Sequence, residues 1–572
     1  MPDDPPRLYM ALGMSDRSPC RKNAESYLIT QWLQEERLVI NRSALTRIGR
    51  TVAKEIKAGR VSAALPRALE PLEEYPEHVL DLVALLAKEG VKKRPSDELI
   101  SAYAFILGHS LELLRYSVER EDAGIVNLVN RLRDSLLEAV QQELISPAIL
   151  MLILHQFASA KLDAGDPLRE QLSWLMEKDK EAHAAVSRGE GDDHFAHVAA
   201  DMENDPFAIH AYLDESMDAL PQQIRAGLVM ATFGENVPAV REAALGFLLS
   251  KSQDARGKLI ELLTLASPHG LISGTMLRRM IAIRNWLAEA DRAALDGAIK
   301  SARAIGVACA PVSKANVVSV LVSGVDGSGA STALVIVKDG RRHALAGLLA
   351  KQGFGIRDAW VRRGLSKADL KEVLDHITGE IEVAPSSLEY VVAILRQGLA
   401  TNLETGNPPP FGALDVVETC GLAEINPAAM AVEVLVAELL AGIDPARLSA
   451  AAVEKTLRDS SDLQETHPIL ASWFEDNVSK LIGNKRAPRG KRVAVLMMGP
   501  LQARRRRWAG LCASMALSLK HQGHADWENF TILARELLGT RPIDEFGLMK
   551  VVAATTLDVL DTKALLGTHR AA

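Results

Sequence analysis

The chain has 572 residues, 48% hydrophobic and 24% charged but only 4% aromatic, with a formal net charge of −7. The balance is that of an ordinary soluble protein, and the modest charge excludes a global field that would steer the whole molecule onto nucleic acid. An Ala- and Leu-rich, aromatic-poor composition favours close helix packing over a β-sandwich, at a length that suits about four domains or one long solenoid.

The first 24 residues are rich in Pro and Asp and read as loosely ordered. They lack a basic region followed by an apolar core, so a secretory signal is not expected. Residues 25–204 form a helical domain. Val79, Leu82, Val83 and Leu86 share one apolar face, and Ile125, Leu128, Val129 and Leu132 repeat the spacing. The most apolar stretch, Ala148 to Leu154, stops at His155, far short of the ~20 residues of a membrane span. Ala428 to Ile443 is apolar but carries Glu433 and Glu438. The cysteines, Cys20, Cys309, Cys420 and Cys512, are scattered without a CxxC pair, which fits a reducing compartment. A cytoplasmic location without membrane contact is expected.

Between residues 205 and 305 a small pattern recurs: an apolar residue, then Arg, then an apolar residue four positions after the first. It occurs at Ile224-Arg225, Val240-Arg241, Ala255-Arg256 and Leu277-Arg278, in steps of 16, 15 and 22 residues. Each step is one short helix and a turn. Asp205-Pro206, Pro221 and Pro238 mark helix starts. The stretch Asn236 to Leu249, with Val240-Arg241 followed by Ala244, resembles the second helix of a HEAT repeat. Val240, Ala244, Phe247 and Leu248 lie on its apolar face. The resemblance covers about 205–290 and implies stacked helices with a concave surface for protein or nucleic acid, and no catalytic residues.

The pattern changes at Pro311. Val317 to Val322 and Ala333 to Val337 are strand-like, joined by Gly324-Val-Asp-Gly-Ser-Gly329, with a second turn at Lys338 to Arg341 and a possible third strand at His343–Leu349. A β-hairpin plus helix element is therefore expected over 312–383, its β part at about 312–360. The glycine loop resembles the phosphate loop of thymidylate kinases, but Ala330 stands where a lysine must reach the phosphates, and strand residues follow where a helix should. A hairpin turn is the simpler reading. Lys338, Arg341, Arg342, His343, Lys351, Arg357, Arg362 and Arg363, interleaved with Phe354 and Trp360, make a basic-aromatic patch. It reads first as charge that protects an edge strand. Residues 384–480 form a further helical domain, with Gly406-Asn407-Pro408-Pro409-Pro410 as the clearest linker, and 481–572 a basic helical segment.

Three constellations could carry chemistry. His194, His197 and Asp201 share a helical face at metal-ligand spacing, within an acidic belt over 190–218 that offers a solvated face as the simpler account. From Lys480 to Lys520 there are eleven basic residues and no acidic one. Lys485, Arg486, Arg489, Lys491, Arg492 and the run Arg504, Arg505, Arg506, Arg507 suit a phosphate backbone, and Trp508 could stack a base. The same segment could instead pair with the acidic belt of this or a second chain, giving self-association. No GxSxG or comparable nucleophile motif is present.

The expected fold is mostly α: an α-solenoid or irregular helical array with a small β element. The expected function is a non-catalytic cytoplasmic scaffold or adaptor that binds a protein partner through its helical-repeat surface, with no cofactor. A nucleic-acid-binding protein using 480–520 is the alternative, and a metal-dependent hydrolase at His194, His197 and Asp201 the next.

Overall fold

A computed structural model describes residues 42–58, 64–73, 75–119, 122–178, 191–476, 478 and 487–571. The side chains of residues 64, 116, 176–178, 191–194, 223 and 563–571 lie outside the description. The protein is mostly α, with one five-stranded antiparallel sheet. It divides into two compact units, the first ending at Ala244 and the second running from Leu245 to Ala572. The division falls inside the 205–305 segment.

In the first unit, helices His78–Gly90, Asp97–Glu119, Ala123–Gln141 and Pro147–Ser159 bury a continuous Leu- and Ile-rich core. Val79, Leu82, Val83, Leu86, Leu128, Val129 and Leu132 are all buried in it, as their spacing requires. Asp205 caps the helix Pro206–Ala219, its carboxylate accepting from Phe207 N at 2.9 Å.

Three of the four repeated arginines, with one more outside the pattern, share one task that spacing alone does not reveal. Each sits on the fourth residue of its helix and reaches back to carbonyls that the preceding helix or turn leaves unpaired. Arg225, in Gln222–Gly234, donates to Leu220 O at 3.0 Å. Arg241, in Pro238–Ala243, donates to Phe233 O at 3.3 Å and Glu235 O at 2.8 Å. In the second unit Arg256, in Gln253–Ala266, donates to Ser250 O at 2.7 Å and Lys251 O at 3.2 Å. The next member is Arg292, in Glu289–Ala304, donating to Leu287 O at 3.1 Å. It escapes the sequence pattern because Asp291, not an apolar residue, precedes it. Arg278, in Gly274–Arg284, departs from the pattern: it donates to Pro311 O at 2.8 Å and Glu418 Oε1 at 2.9 Å.

The sheet of the second unit has the order β4-β3-β2-β1-β5. Its strands are β1 Val317–Ser323, β2 Ala330–Asp339, β3 Arg342–Lys351, β4 Gly355–Leu365 and β5 Val383–Pro385. The first three match the sequence reading, whereas β4 and β5 extend the expected hairpin to a full sheet. On one face Leu334, Ile336 and Leu345 pack with Trp360 and with Leu370, Val373, Leu374 and Ile377 of helix Lys367–Glu380. Helices Leu388–Thr405 and Gly412–Thr419 also pack on β3 and β4. The segment read as a linker, Gly406 to Pro410, is a tight connection in this packing: Pro409 and Phe411 are buried.

The start of edge strand β4 is capped by one side chain. The buried Asn402 accepts from Ile356 N at 2.8 Å and donates to Phe354 O and Ile356 O, each at 3.2 Å. This is the pairing a sixth strand would give, made by an amide that cannot propagate. Gly355 permits the approach, since a Cβ there would lie 2.5 Å from the Asn402 amide carbon, and its φ of 98° disfavours any other residue.

Two stability measurements follow. Asn402→Ala leaves the buried Ile356 N–H without its acceptor and should cost about 2–3 kcal/mol in urea denaturation. Asn402→Asp should cost at least as much, because a carboxylate would face two carbonyl oxygens. In the first unit, burial pushes the His210 imidazole down to about 3, against a backbone hydrogen bond at Ala243 that works the other way. The unfolded chain therefore binds a proton that the folded one refuses. Stability should fall by up to about 1.4 kcal/mol per pH unit as pH drops below the ordinary histidine value. His210→Gln should flatten the stability–pH slope between pH 6.5 and 5 by about one proton.

Candidate functional site

The residues singled out from sequence fall into separate places. Lys485 and Arg486 lie outside the described residues, and so does the side chain of His194. His197 and Asp201 are exposed on helix Gly191–Asp201.

The described arginines are engaged with carboxylates and carbonyls of their own unit, although Arg504 and Arg506 remain exposed. Arg489 pairs with Asp558 at 2.7 Å, and Arg492, buried, grips both Asp561 oxygens at 2.6 and 3.0 Å. Lys491 is exposed. Arg504 Nη1 donates to Glu475 Oε2 at 2.7 Å. Arg505 caps helix Trp527–Leu538, donating to Leu537 O at 2.7 Å and to Glu536 O and Arg541 O at 3.1 Å. Arg506 pairs with Glu433. Arg507 lies 4.9 Å from the Trp508 ring centroid and donates to Gly327 O. Trp508 is fully buried in helix Arg505–Gln522 and donates its indole N–H to Glu475 Oε1 at 2.9 Å. Its ring is thus closed to a nucleic-acid base, contrary to the sequence expectation. These partners stand 29 to 180 residues away in sequence, so local charge could not show them.

The phosphate-loop resemblance dissolves in the same contacts. Asp326 Oδ1 accepts from Ser328 N and Ala330 N at 2.8 Å each, and Asp326 N donates to Ala330 O at 2.9 Å. Gly327 N donates to Ser472 Oγ at 2.9 Å, and Gly329 N to Asp326 O at 2.9 Å. These amides therefore have partners within the chain and do not form a cradle for phosphate. A Cβ on Gly327 would fall 1.9 Å from Ser472 O, so the docking requires glycine there. Trp473 completes it, donating its indole N–H to Val325 O at 2.9 Å.

In the basic-aromatic patch, Arg357 stacks on Phe354 at 5.7 Å and Arg362 on Trp360 at 5.5 Å, while Arg363 pairs with the buried Asp415. The charges line β4, an edge strand.

Sequence reasoning missed a different group. His467, His524 and Asp526 place one potential ligand atom each within 4.8 Å of one another. His467 Nε2 stands 2.9 Å from Asp526 Oδ2, and His524 Nδ1 3.8 Å from the same oxygen. His467 is buried, its ring edge-on to His524 at 5.0 Å and to Phe530 at 5.6 Å. The only local hint is His524 and Asp526 flanking a helix end at Gly523; His467 lies 59 residues from Asp526.

Burial pushes the Glu475 carboxyl above the ordinary carboxylate range despite Arg504 and Arg507 beside it. Glu475→Ala would remove the acceptor of the Trp508 indole and strand the two arginines. A loss of about 3–5 kcal/mol is expected in chemical denaturation. Arg504→Ala, on a half-exposed side chain, should cost clearly less.

Residues 433–561 match the model of the Y4lR C-terminal helical domain, and residues 221–306 that of the Y4lR second domain. The "Uncharacterized protein y4lR" of Sinorhizobium fredii (strain NBRC 101917 / NGR234) is 29% identical over 359 residues, which cover 60% of this chain and 67% of that protein. No solved structure matches the chain significantly. Among the described residues, no helix is long and apolar enough to cross a membrane.

Proposed function

We propose that the chain is a non-catalytic cytoplasmic scaffold that holds a protein partner on one end of its short-helix array. The observation that carries this reading is a set of three exposed apolar side chains. Leu265, Leu271 and Ile305 are 60%, 49% and 48% exposed. They belong to the same end of the array. Leu265 is in the last turn of Gln253–Ala266, and Ile305 directly follows Glu289–Ala304. Ala310 N donates to Gly274 O at 3.0 Å, which ties the chain after Ile305 to the helix start just beyond Leu271. Segments 265–271 and 304–310 contain no Asp, Glu, Lys or Arg. Exposed apolar side chains favour a protein partner over a polyanion.

A nucleic-acid reading draws no support from Arg504 to Arg507, each of which already has a partner in the same unit. For the hydrolase reading, His197 and Asp201 are exposed, and the side chain of His194 lies outside the described residues.

Affinity-tagged full-length protein isolated from a native extract with nuclease present should carry a stoichiometric protein partner. Leu265→Glu combined with Ile305→Glu should abolish that co-purification while leaving the melting temperature within a few degrees, since both side chains are exposed. Equal retention by the double variant, or a wild-type protein that emerges alone, would contradict the reading.

A further inference from the structure

We infer that His467, His524 and Asp526 form a binding site for a divalent first-row transition ion, zinc in the first instance. The inference stands apart from the partner-binding reading and uses none of its residues.

The geometry is that of a ligand set before metal arrives. In a tetrahedral site with bonds of about 2.0–2.1 Å to N and O, neighbouring ligand atoms lie about 3.3 Å apart. The two separations at Asp526 Oδ2, 2.9 and 3.8 Å, bracket that value. The exposed His524 ring can make the remaining adjustment, while His467 is fixed in the core.

Each ligand is held by its own backbone. His467 N donates to Leu463 O at 2.8 Å, and Leu470 N to His467 O at 3.0 Å, which sets the ring at the mouth of a 3-10 turn. His524 follows Gly523, whose φ of 72° ends helix Arg505–Gln522. His524 N donates to Leu519 O at 2.9 Å and Gly523 N to Lys520 O at 3.1 Å, the two bonds of a Schellman motif. Trp527 N donates to His524 O at 3.2 Å, fixing the step to Asp526.

The carboxylate is oriented from behind. Asn529 Nδ2 donates to Asp526 Oδ1 at 2.8 Å, and Arg447 Nη2 donates to Asn529 Oδ1 at 2.6 Å. With Oδ1 engaged, Oδ2 is the oxygen turned to both imidazoles. This is the support that metal-ligating side chains need around them. Asp526 N donates to His524 Nδ1 at 3.2 Å, so that nitrogen carries the lone pair and the proton sits on Nε2. An ion would take over the lone pair from this long bond. At His467 an ion would take the Nε2 lone pair in place of the contact with Asp526 Oδ2, with the ring proton on Nδ1. Two imidazoles and one carboxylate oxygen favour zinc or a neighbouring transition ion over calcium or magnesium. The exposed side of His524 leaves a position for water.

The test uses chelator-treated full-length protein titrated with Zn²⁺ against a chromophoric chelator. The expected result is one equivalent bound in the micromolar range or tighter. His524→Ala should weaken it at least tenfold, as should Asn529→Ala through loss of carboxylate orientation. His197→Ala, on the other acidic helix, should leave it unchanged. His524 is exposed, so its variant folds even where a His467 variant does not. Equal zinc affinity in wild type and His524→Ala, or no zinc competed from the chelator, would overturn the proposal.

Discussion

Glu475 is a carboxylate removed from water, and much of the second unit is arranged around keeping it satisfied. Its two oxygens meet the Trp508 indole N–H and the Arg504 guanidinium, with Arg507 at 3.9 Å, and its backbone N–H donates to Thr556 Oγ1 at 3.0 Å. A carboxylate in such a place is costly unless every lone pair is occupied, and removing one partner costs more than the whole arrangement contributes. The carboxylate ties its loop to Arg504 and to helix Arg505–Gln522, and the backbone N–H of the same residue ties that loop to helix Gly547–Ala571.

The same cluster anchors the β element. Arg507 reaches from Glu475 to Gly327 O, and Trp473 reaches Val325 O, so the glycine turn between β1 and β2 is docked on the helices by its backbone. A hairpin is marginal on its own. Here its turn is held by indole and guanidinium donors and a hydroxyl acceptor, the start of its β4 edge is capped by Asn402, and β3 and β4 pack on helices. Part of the charge that makes the 480–520 segment look like a nucleic-acid surface is engaged within this unit, through Arg492, Arg504, Arg505 and Arg507.

Much of the fold was legible because it rests on local rules. Helix starts at Asp205-Pro206 and Pro238 and the turns at 324–329 and 338–341 follow from cap and turn chemistry read over a few residues. β4 was hidden because its sequence, GIRDAWVRRGL, sets charged residues in pairs, Arg357-Asp358 and Arg362-Arg363, and so lacks the period-2 alternation that marks a strand. β5 has three residues and no pattern to show. The arginine motif was visible as spacing, yet its purpose, capping the carbonyls of the preceding turn, needed the path of the backbone. Arg278 fits the spacing and does something else; Arg292 breaks the pattern and does the same work. His467, His524 and Asp526 were invisible for a simpler reason: residues 59 apart meet only through the packing of helices that carry no signature of the meeting.

The central claim is that the Gly324 to Ala330 loop is a buried structural joint and not an open binding loop. Residue-resolved amide hydrogen exchange tests it directly, with the exposed turn at Gly340-Arg341 as an internal standard. The amides of Gly327, Ser328 and Ala330 should exchange as slowly as those in the middle of helix Arg505–Gln522, because both open only when the unit comes apart. Exchange as fast as that of the Gly340 turn would contradict the account.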